Sequence, residues 1–416
     1  MCILLRNISG LATPAEELPP YEIRIIEDAI IAADQGKIAY IGPESGLPPL
    51  NIDAVYNCRG SFATPGLIDS HTHPVFSAAR EHEFHMRNAG KSYAEIAASG
   101  GGIRASVREL RKASIEYLVE LLRDRFNGFL ALGTTTIEAK SGYGLSFMDE
   151  MKSLRALKEL REHPLEVIPT FLGAHEIPDE YRGQRESYIQ LLIDEMIPAV
   201  VSEGLAEYCD IFVEKNVYTV EEARRILTAA KNAGLALRLH VDQLTSGGGA
   251  ELAAELGAVS AEHLDYISDE GIDRMIEAGV VFNLLPGAVF FLGHTKYPPA
   301  RKIIDKGGII ALSTDFNPGS SMTRSLPLMM TIACVYMGMS ADEALASVTL
   351  NAARSVKRNN IIGSLEAGKQ ADIVLWDIPG HDYIPYHYGE NLVNCVFKKG
   401  RLVYRKPECG DNREFD

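Results

Sequence analysis

Residues 63–74 read Ala63-Thr64-Pro65-Gly66-Leu67-Ile68-Asp69-Ser70-His71-Thr72-His73-Pro74. The run is apolar at its centre and ends in two histidines, so it is expected to form one buried strand. His71 and His73 are two positions apart, which on a strand puts both rings on the same face. Two imidazoles side by side at a strand end grip a metal ion from one direction. A His-x-His pair alone is a structural pair as often as a ligand pair. His240, His263 and Asp315 change that weighting, because each closes another apolar, strand-like run. Histidines and a carboxylate converging from several strand ends form the donor set of a borderline divalent metal.

Outward from this stretch, strand-like runs alternate with amphipathic helical ones. The later strand runs are 134–138, 166–171, 208–213, 236–240, 258–263, 280–285 and 309–314. Helical segments such as 220–233, 249–256 and 268–278 lie between them, and a last helix is expected over 340–355. Eight strand-then-helix units between 64 and 355 suggest an α/β chain with a closed TIM-type (β/α)8 barrel. A doubly wound sheet is the alternative, but no Gly-x-Gly-x-x-Gly follows the first strand. Residues 1–63 and 356–405 read as short strands with turns, including a hairpin over 29–42 that turns at Asp34-Gln35-Gly36. The two chain ends are expected to join in one small composite β-sandwich, with 406–416 as a polar tail.

With 416 residues and 46% apolar content, the chain has room for a large core and an accessory domain. Its net charge of −15 tells against nucleic acid or an anionic membrane as a partner, while an anionic small molecule needs only one local cation. No apolar run reaches membrane-spanning length, and the first residues lack the layout of a signal peptide. Cys2, Cys58, Cys209, Cys334, Cys395 and Cys409 form no Cys-x-x-Cys pair and are expected to be free thiols in a reducing cytoplasm.

In a parallel barrel, chemistry gathers at the carboxyl ends of the strands. Those ends carry His71 and His73, the loop Lys140-Ser141-Gly142-Tyr143-Gly144, then Gly173-Ala174-His175, His240, His263, and Asp315-Phe316-Asn317-Pro318-Gly319-Ser320. Pro65–His73 resembles the opening motif of the metal-dependent amidohydrolases. Gly363-Ser364-Leu365-Glu366-Ala367-Gly368-Lys369-Gln370-Ala371-Asp372 is similar to the stretch with which many of them return to a β domain. More narrowly, His71–Phe76 with Arg80, Gly100–Ile103, Lys140–Leu145, Gly173–His175 and Asp315–Gly319 together resemble the imidazolonepropionase family. The resemblance runs from about residue 30 to 404.

That resemblance implies hydrolytic ring opening of 4-imidazolone-5-propanoate to N-formimidoyl-L-glutamate, the third step of histidine degradation. It implies one Zn²⁺ or Fe ion on His71, His73, His240 and Asp315. Arg80 would face the propanoate carboxylate, Tyr93, Tyr143 and His175 would hold the substrate, and Asn317, Gly319 and Ser320 would line the other side. On the residues alone, Arg80 reads equally as a loop charge, Tyr143 as packing and Asn317-Pro318-Gly319 as a plain turn. Some members carry a glutamate three residues after the strand-five histidine; here that residue is Gln243. A neutral amide takes no proton from water, so Gln243 is expected to orient the ring. Proton transfer then falls to Asp315, with His263 as the electrostatic partner of the oxyanion. The superfamily's strand-four lysine is absent from Phe212-Val213-Glu214, which fits a one-metal site. A homodimer is expected, with the helical stretch Met329–Met339 suited to it. The rival readings are another cyclic amidohydrolase, a purine or pyrimidine deaminase, or a non-enzymatic binding protein. A neutral base needs no arginine, and an inactive homologue would have lost a ligand.

Overall fold

Gly66 divides the opening stretch between two sheets. Phe62–Pro65 pairs with Ile373–Trp376 and Gly10–Thr13 in a six-stranded sheet, whereas Leu67–Thr72 is the first strand of an eight-stranded parallel sheet. The single strand expected over 63–73 is therefore two strands. The divide falls at glycine because the chain passes hard against its neighbour: a Cβ at position 66 would lie 2.3 Å from Thr135 Oγ1 and 2.6 Å from its Cγ2. This computed structural model describes residues 1–91, 95 and 100–407, and the backbone of 413–414.

The eight strands are Leu67–Thr72, Thr134–Lys140, Glu166–Ala174, Tyr208–Val213, Ala236–Val241, Ser260–His263, Val281–Leu284 and Ile310–Leu312. Each pairs in parallel with the next. The last strand meets the first without a regular ladder. Thr314 instead donates its backbone N–H to Asp69 Oδ1 at 3.0 Å and its hydroxyl to Oδ2 at 2.5 Å. Asp315 N–H reaches the His71 carbonyl at 3.2 Å, and His73 N–H the Phe316 carbonyl at 3.0 Å. One carboxylate and two backbone hydrogen bonds thus do the closing that a ladder does elsewhere. The helix expected over 340–355 is two helices, Ala341–Ser347 and Leu350–Ser355, with Thr349 off the helical path at φ −128 and ψ −100. The break serves the seam, since the Val348 carbonyl accepts the Ile68 N–H at 2.9 Å. A buried backbone donor left without an acceptor would be costly.

Helices wrap the barrel with an apolar stripe inward. Val220–Asn232 shows why: Thr219 and Glu222 form a capping box, and Ala223, Ile226, Leu227 and Ala230 recur at helical spacing on the buried face. Among the described residues, no helix is long and apolar enough to cross a membrane. The chain ends supply the six-stranded sheet and a five-stranded one ordered 413–414, 54–57, 2–6, 30–34, 37–42. Ile3, Leu5, Ile31, Ala63, Ile373, Leu375 and Phe397 form their common core. The hairpin turns at Gln35 and Gly36, both at positive φ, as a tight turn between twisted strands requires. Lys398, buried, ties this assembly to the barrel through Asp372 at 2.8 Å, Glu166 at 3.0 Å and Thr136 Oγ1 at 3.1 Å. Cys2, Cys58, Cys209, Cys334 and Cys395 are free thiols, and Cys409 lies outside the described residues.

Gly66→Ala is expected to lower stability by about 1–3 kcal/mol through overpacking against Thr135. Thermal unfolding measures it. Thr135→Ala in the same chain removes the two closest atoms and should restore part of the loss. An unchanged midpoint for Gly66→Ala alone would contradict this account of the divide.

Candidate active site

His71 and His73 leave the first barrel strand, His240 lies in the fifth, His263 ends the sixth and Asp315 follows the eighth. Asp242, His263, Leu264 and Asp315 all take left-handed φ values, between 51° and 71°. Such conformations are uncommon outside glycine and concentrate where a strand end must aim a side chain. The result is a tight cluster. His73 Nε2 lies 3.2 Å from His71 Nε2 and 3.2 Å from His240 Nε2. Asp315 Oδ1 lies 3.6 Å from His71 Nε2 and 3.4 Å from His73 Nε2. Donors tetrahedrally placed around an ion at about 2.1 Å stand about 3.4 Å apart, so these spacings fit one divalent ion. His263 sits beside the four: its ring centroid is 5.4 Å from that of His240, and its Nδ1 has no partner.

The rings are turned by groups beneath them. His71 Nδ1 lies 2.8 Å from Glu262 Oε2, and Glu262 is held in turn by Arg238 at 3.1 Å and Asn283 at 2.7 Å. His240 Nδ1 lies 3.0 Å from Asp210 Oδ2. Asp210 and Glu138 are each 2.7 Å from Lys140 Nζ. Glu262 accepts the Nδ1–H of His71, which leaves that ring's Nε2 lone pair facing the cluster, and Asp210 stands at the corresponding edge of His240. Burial keeps the rings neutral, holding His71 far below the ordinary histidine range, His73 at about 3 and His240 at about 4. Burial would raise Asp210, but His240 and Lys140 hold it well below the usual carboxylate range. In this network Glu138, Asp210, Glu262 and Asp315 face only Lys140 and Arg238. Burial raises Glu262 to about 7 and Asp315 above the usual carboxylate range, and a divalent cation would favour the ionised form of both.

The remaining expected residues fall into three groups. Tyr143 and His175 flank the cluster. The His175 ring stacks on His73 at 5.2 Å, with Nδ1 2.9 Å from the Gly142 carbonyl, and the Tyr143 ring lies 5.4 Å from that of His175. Burial pushes the Tyr143 hydroxyl well above its usual range. Arg80 meets the far side of the rim: a Cβ at Gly319 would lie 2.5 Å from its Nη1. It is no solvated loop charge, being 12% exposed and paired with Glu83 at 2.9 and 2.7 Å. Asn317 is occupied within its own loop. Its Nδ2 donates to the Asp315 carbonyl at 2.6 Å, and its Oδ1 accepts the Gly319 and Ser320 N–H groups at 2.8 Å each. Ser320 Oγ lies 3.3 Å from Asp315 Oδ2. Gln243 is half-buried in the loop after the fifth strand, without a hydrogen bond among the described residues. Tyr93 lies outside the described residues.

Sequence reasoning missed Glu138, Asp210, Arg238, Glu262 and Glu83. The signal was present: Glu138-x-Lys140 and Arg238-x-His240 put charges at alternate positions of strands that should read as apolar runs.

A histidine and aspartate cluster at the carboxyl rim of a parallel barrel defines a metal-dependent hydrolase site. Residues 62–403 match the amidohydrolase family. Imidazolonepropionase of Alkaliphilus metalliredigens is 45% identical, over 97% of this chain and 98% of that protein. Imidazolonepropionase of Geobacillus sp. (strain WCH70) is 47% identical, again over 97% of this chain and 98% of that one. The chain belongs to the amidohydrolase family and, within it, to the imidazolonepropionases. Solved structures share the fold: E. coli guanine deaminase superposes with a TM-score of 0.73 at 18% identity, covering 98% of this chain and all (100%) of that one. A zinc-bound adenosine deaminase from Xanthomonas campestris gives 0.70 at 16% identity, covering 96% and 92%.

Asp210→Asn and Glu262→Gln are each expected to weaken metal affinity by about 10–100-fold, because each leaves a ligand ring unaimed. Competition with a chromophoric chelator measures it, with circular dichroism as the folding control. Affinities within twofold of the parent would refute the orienting role.

Proposed function

We infer that this chain hydrolyses 4-imidazolone-5-propanoate, adding water across the ring amide to give N-formimidoyl-L-glutamate in histidine degradation. One juxtaposition carries the reading: a cluster of metal donors and a half-buried arginine stand at the same barrel rim. A cyclic amide needs the first and a substrate carboxylate the second. A neutral purine or pyrimidine carries no carboxylate for Arg80 to pair with. The curated relatives at 44–48% identity over nearly the whole chain bear the name of this activity. The solved deaminases share only the fold at 18% identity or less.

A divalent ion on His71, His73, His240 and Asp315 would supply Lewis acidity, polarising the ring carbonyl and acidifying water. The protein groups have separate tasks. Asp315 is the base: it takes the water proton as oxygen adds to the carbonyl carbon, then passes it to the ring nitrogen as the C–N bond breaks. Its carboxyl is raised above the usual range by burial, which suits a group that must hold a proton briefly. His263 faces the oxyanion. Burial lowers its pKa to about 3, so it acts as a neutral N–H donor. His175 donates through Nδ1 to the Gly142 carbonyl, which leaves Nε2 as an acceptor for a ring N–H. Arg80 pairs with the propanoate carboxylate, Tyr93 and Tyr143 hold the substrate, and Gln243 orients the ring through its amide. Gly319 and Ser320 line the opposite wall, with Asn317 shaping it.

Zinc and iron both suit three imidazoles and a carboxylate, and either is proposed here at one ion per chain. The exposed Val335 and Tyr336, on the helix Leu326–Tyr336, support a homodimer. The free thiols support a cytoplasmic setting.

The test supplies imidazolonepropanoate, generated in place from urocanate, to metal-loaded protein and follows its ultraviolet absorbance. Loss with formation of N-formimidoylglutamate, abolished by a chelator, is expected. Asp315→Asn should cost about 10²–10⁴-fold in kcat. No loss above the spontaneous background, from protein holding one metal per chain, would sink the substrate assignment.

A further inference from the structure

Arg80 has five N–H donors in a rigid fork, and its orientation decides which of them a ligand can reach. Glu83, one helical turn on, takes one edge of the fork: Nε donates to Oε1 at 2.9 Å and Nη2 to Oε2 at 2.7 Å. Glu83 is no surface partner, being 1% exposed. Its Oε1 also accepts the Gly102 N–H at 2.9 Å, fixing the carboxylate from a second side. Three donors thus pin one buried acid, and the acid pins the guanidinium. Gly319 lets the chain pass close to the fork on another side, since a Cβ there would lie 2.5 Å from Nη1 and 2.9 Å from Cζ. What remains is the end edge formed by Nη1 and the second proton of Nη2, which is one bidentate slot for a carboxylate.

We propose that Glu83 is the positioning residue for substrate recognition: it holds Arg80 with its single free edge toward the rim, so that the enzyme selects ligands bearing a carboxylate at the propanoate position. The inference rests on the reading of Arg80 given under Proposed function. An i, i+3 ion pair on a helix surface would contribute only to local stability. Here the acid is buried, the pair is bidentate and the acid is anchored by a backbone N–H from another segment, so it acts on the direction of the fork. Without it, Arg80 keeps its charge and loses its aim.

The experiment compares two competitive inhibitors of the metal-loaded enzyme, 3-(imidazol-4-yl)propanoate and neutral 4-propylimidazole, which differ in the carboxylate. The ratio of their Ki values reads carboxylate recognition and nothing else. In Glu83→Gln, which preserves volume but breaks the bidentate pairing, the ratio should fall about tenfold. The loss should sit in the carboxylate ligand alone. For the substrate, KM should rise about tenfold with kcat within about threefold. Glu83→Ala should act in the same direction, and Glu83→Gln carries the test if the alanine variant fails to fold. A ratio unchanged within twofold, or equal weakening of both inhibitors, would overturn the proposal by making Glu83 merely structural. A parent enzyme that turns over imidazolonepropanoate yet shows a ratio near one would overturn it too, through Arg80. Absence of turnover in the parent is the separate failure of the substrate reading.

Discussion

Two contacts between a carboxylate and an imidazole, Glu262 to His71 and Asp210 to His240, set the conditions for everything above them. Each puts an acid deep in the barrel, where an unpaired charge is costly. Each acid is answered by one cation: Glu262 by Arg238, Asp210 by Lys140. The barrel interior therefore departs from the usual filling of branched apolar side chains. It holds a network of buried charges in which Glu138, Asp210 and Glu262 share Lys140 and Arg238. With the Nε2 atom of His73 3.2 Å from those of both His71 and His240, that network is a setting a divalent cation would fit.

The rest of the architecture keeps that network in register. The seam between the eighth and first strands is closed through Asp69 and Thr314, and the same run of chain delivers Asp315 to within 3.6 Å of His71. Gly66 lets the first strand start immediately after a strand of the other sheet, and Lys398 joins that sheet to the second and third barrel strands. The chain ends are thus braces for the strand that carries His71 and His73. On the open side, Gly319 leaves room for the Arg80 guanidinium, and Asn317 spends its amide on the loop that holds Gly319 in place.

Much of this was legible in the sequence. The period of strands and helices marked all eight barrel strands, with ends off by a few residues because pairing partners settle where a strand stops. His71, His73, His240, His263 and Asp315 were readable as a converging set because each sits where an apolar run ends, while the choice of four of them as ligands rested on the family resemblance. Two elements were misread for one reason. The run 63–73 reads as one strand with an apolar centre, and the sequence alone could not say that Pro65 and Leu67 bond to different sheets. The run 340–355 is helical by pattern, yet Val348 is needed as an acceptor by Ile68, far away in the chain. Such requirements come from distant partners and leave no local trace. The buried charges were overlooked because polar residues in a strand read as an exposed face. Here they face one another.

The central claim is that one metal ion sits on four named side chains. An anomalous diffraction experiment on crystals of the purified protein, with data collected across the zinc and iron edges, tests it most directly. One peak per chain, about 2.1 Å from the Nε2 atoms of His71, His73 and His240 and bonded to the Asp315 carboxylate, is the expected result. Two adjacent peaks, or a single peak elsewhere from protein carrying one metal per chain, would contradict the account.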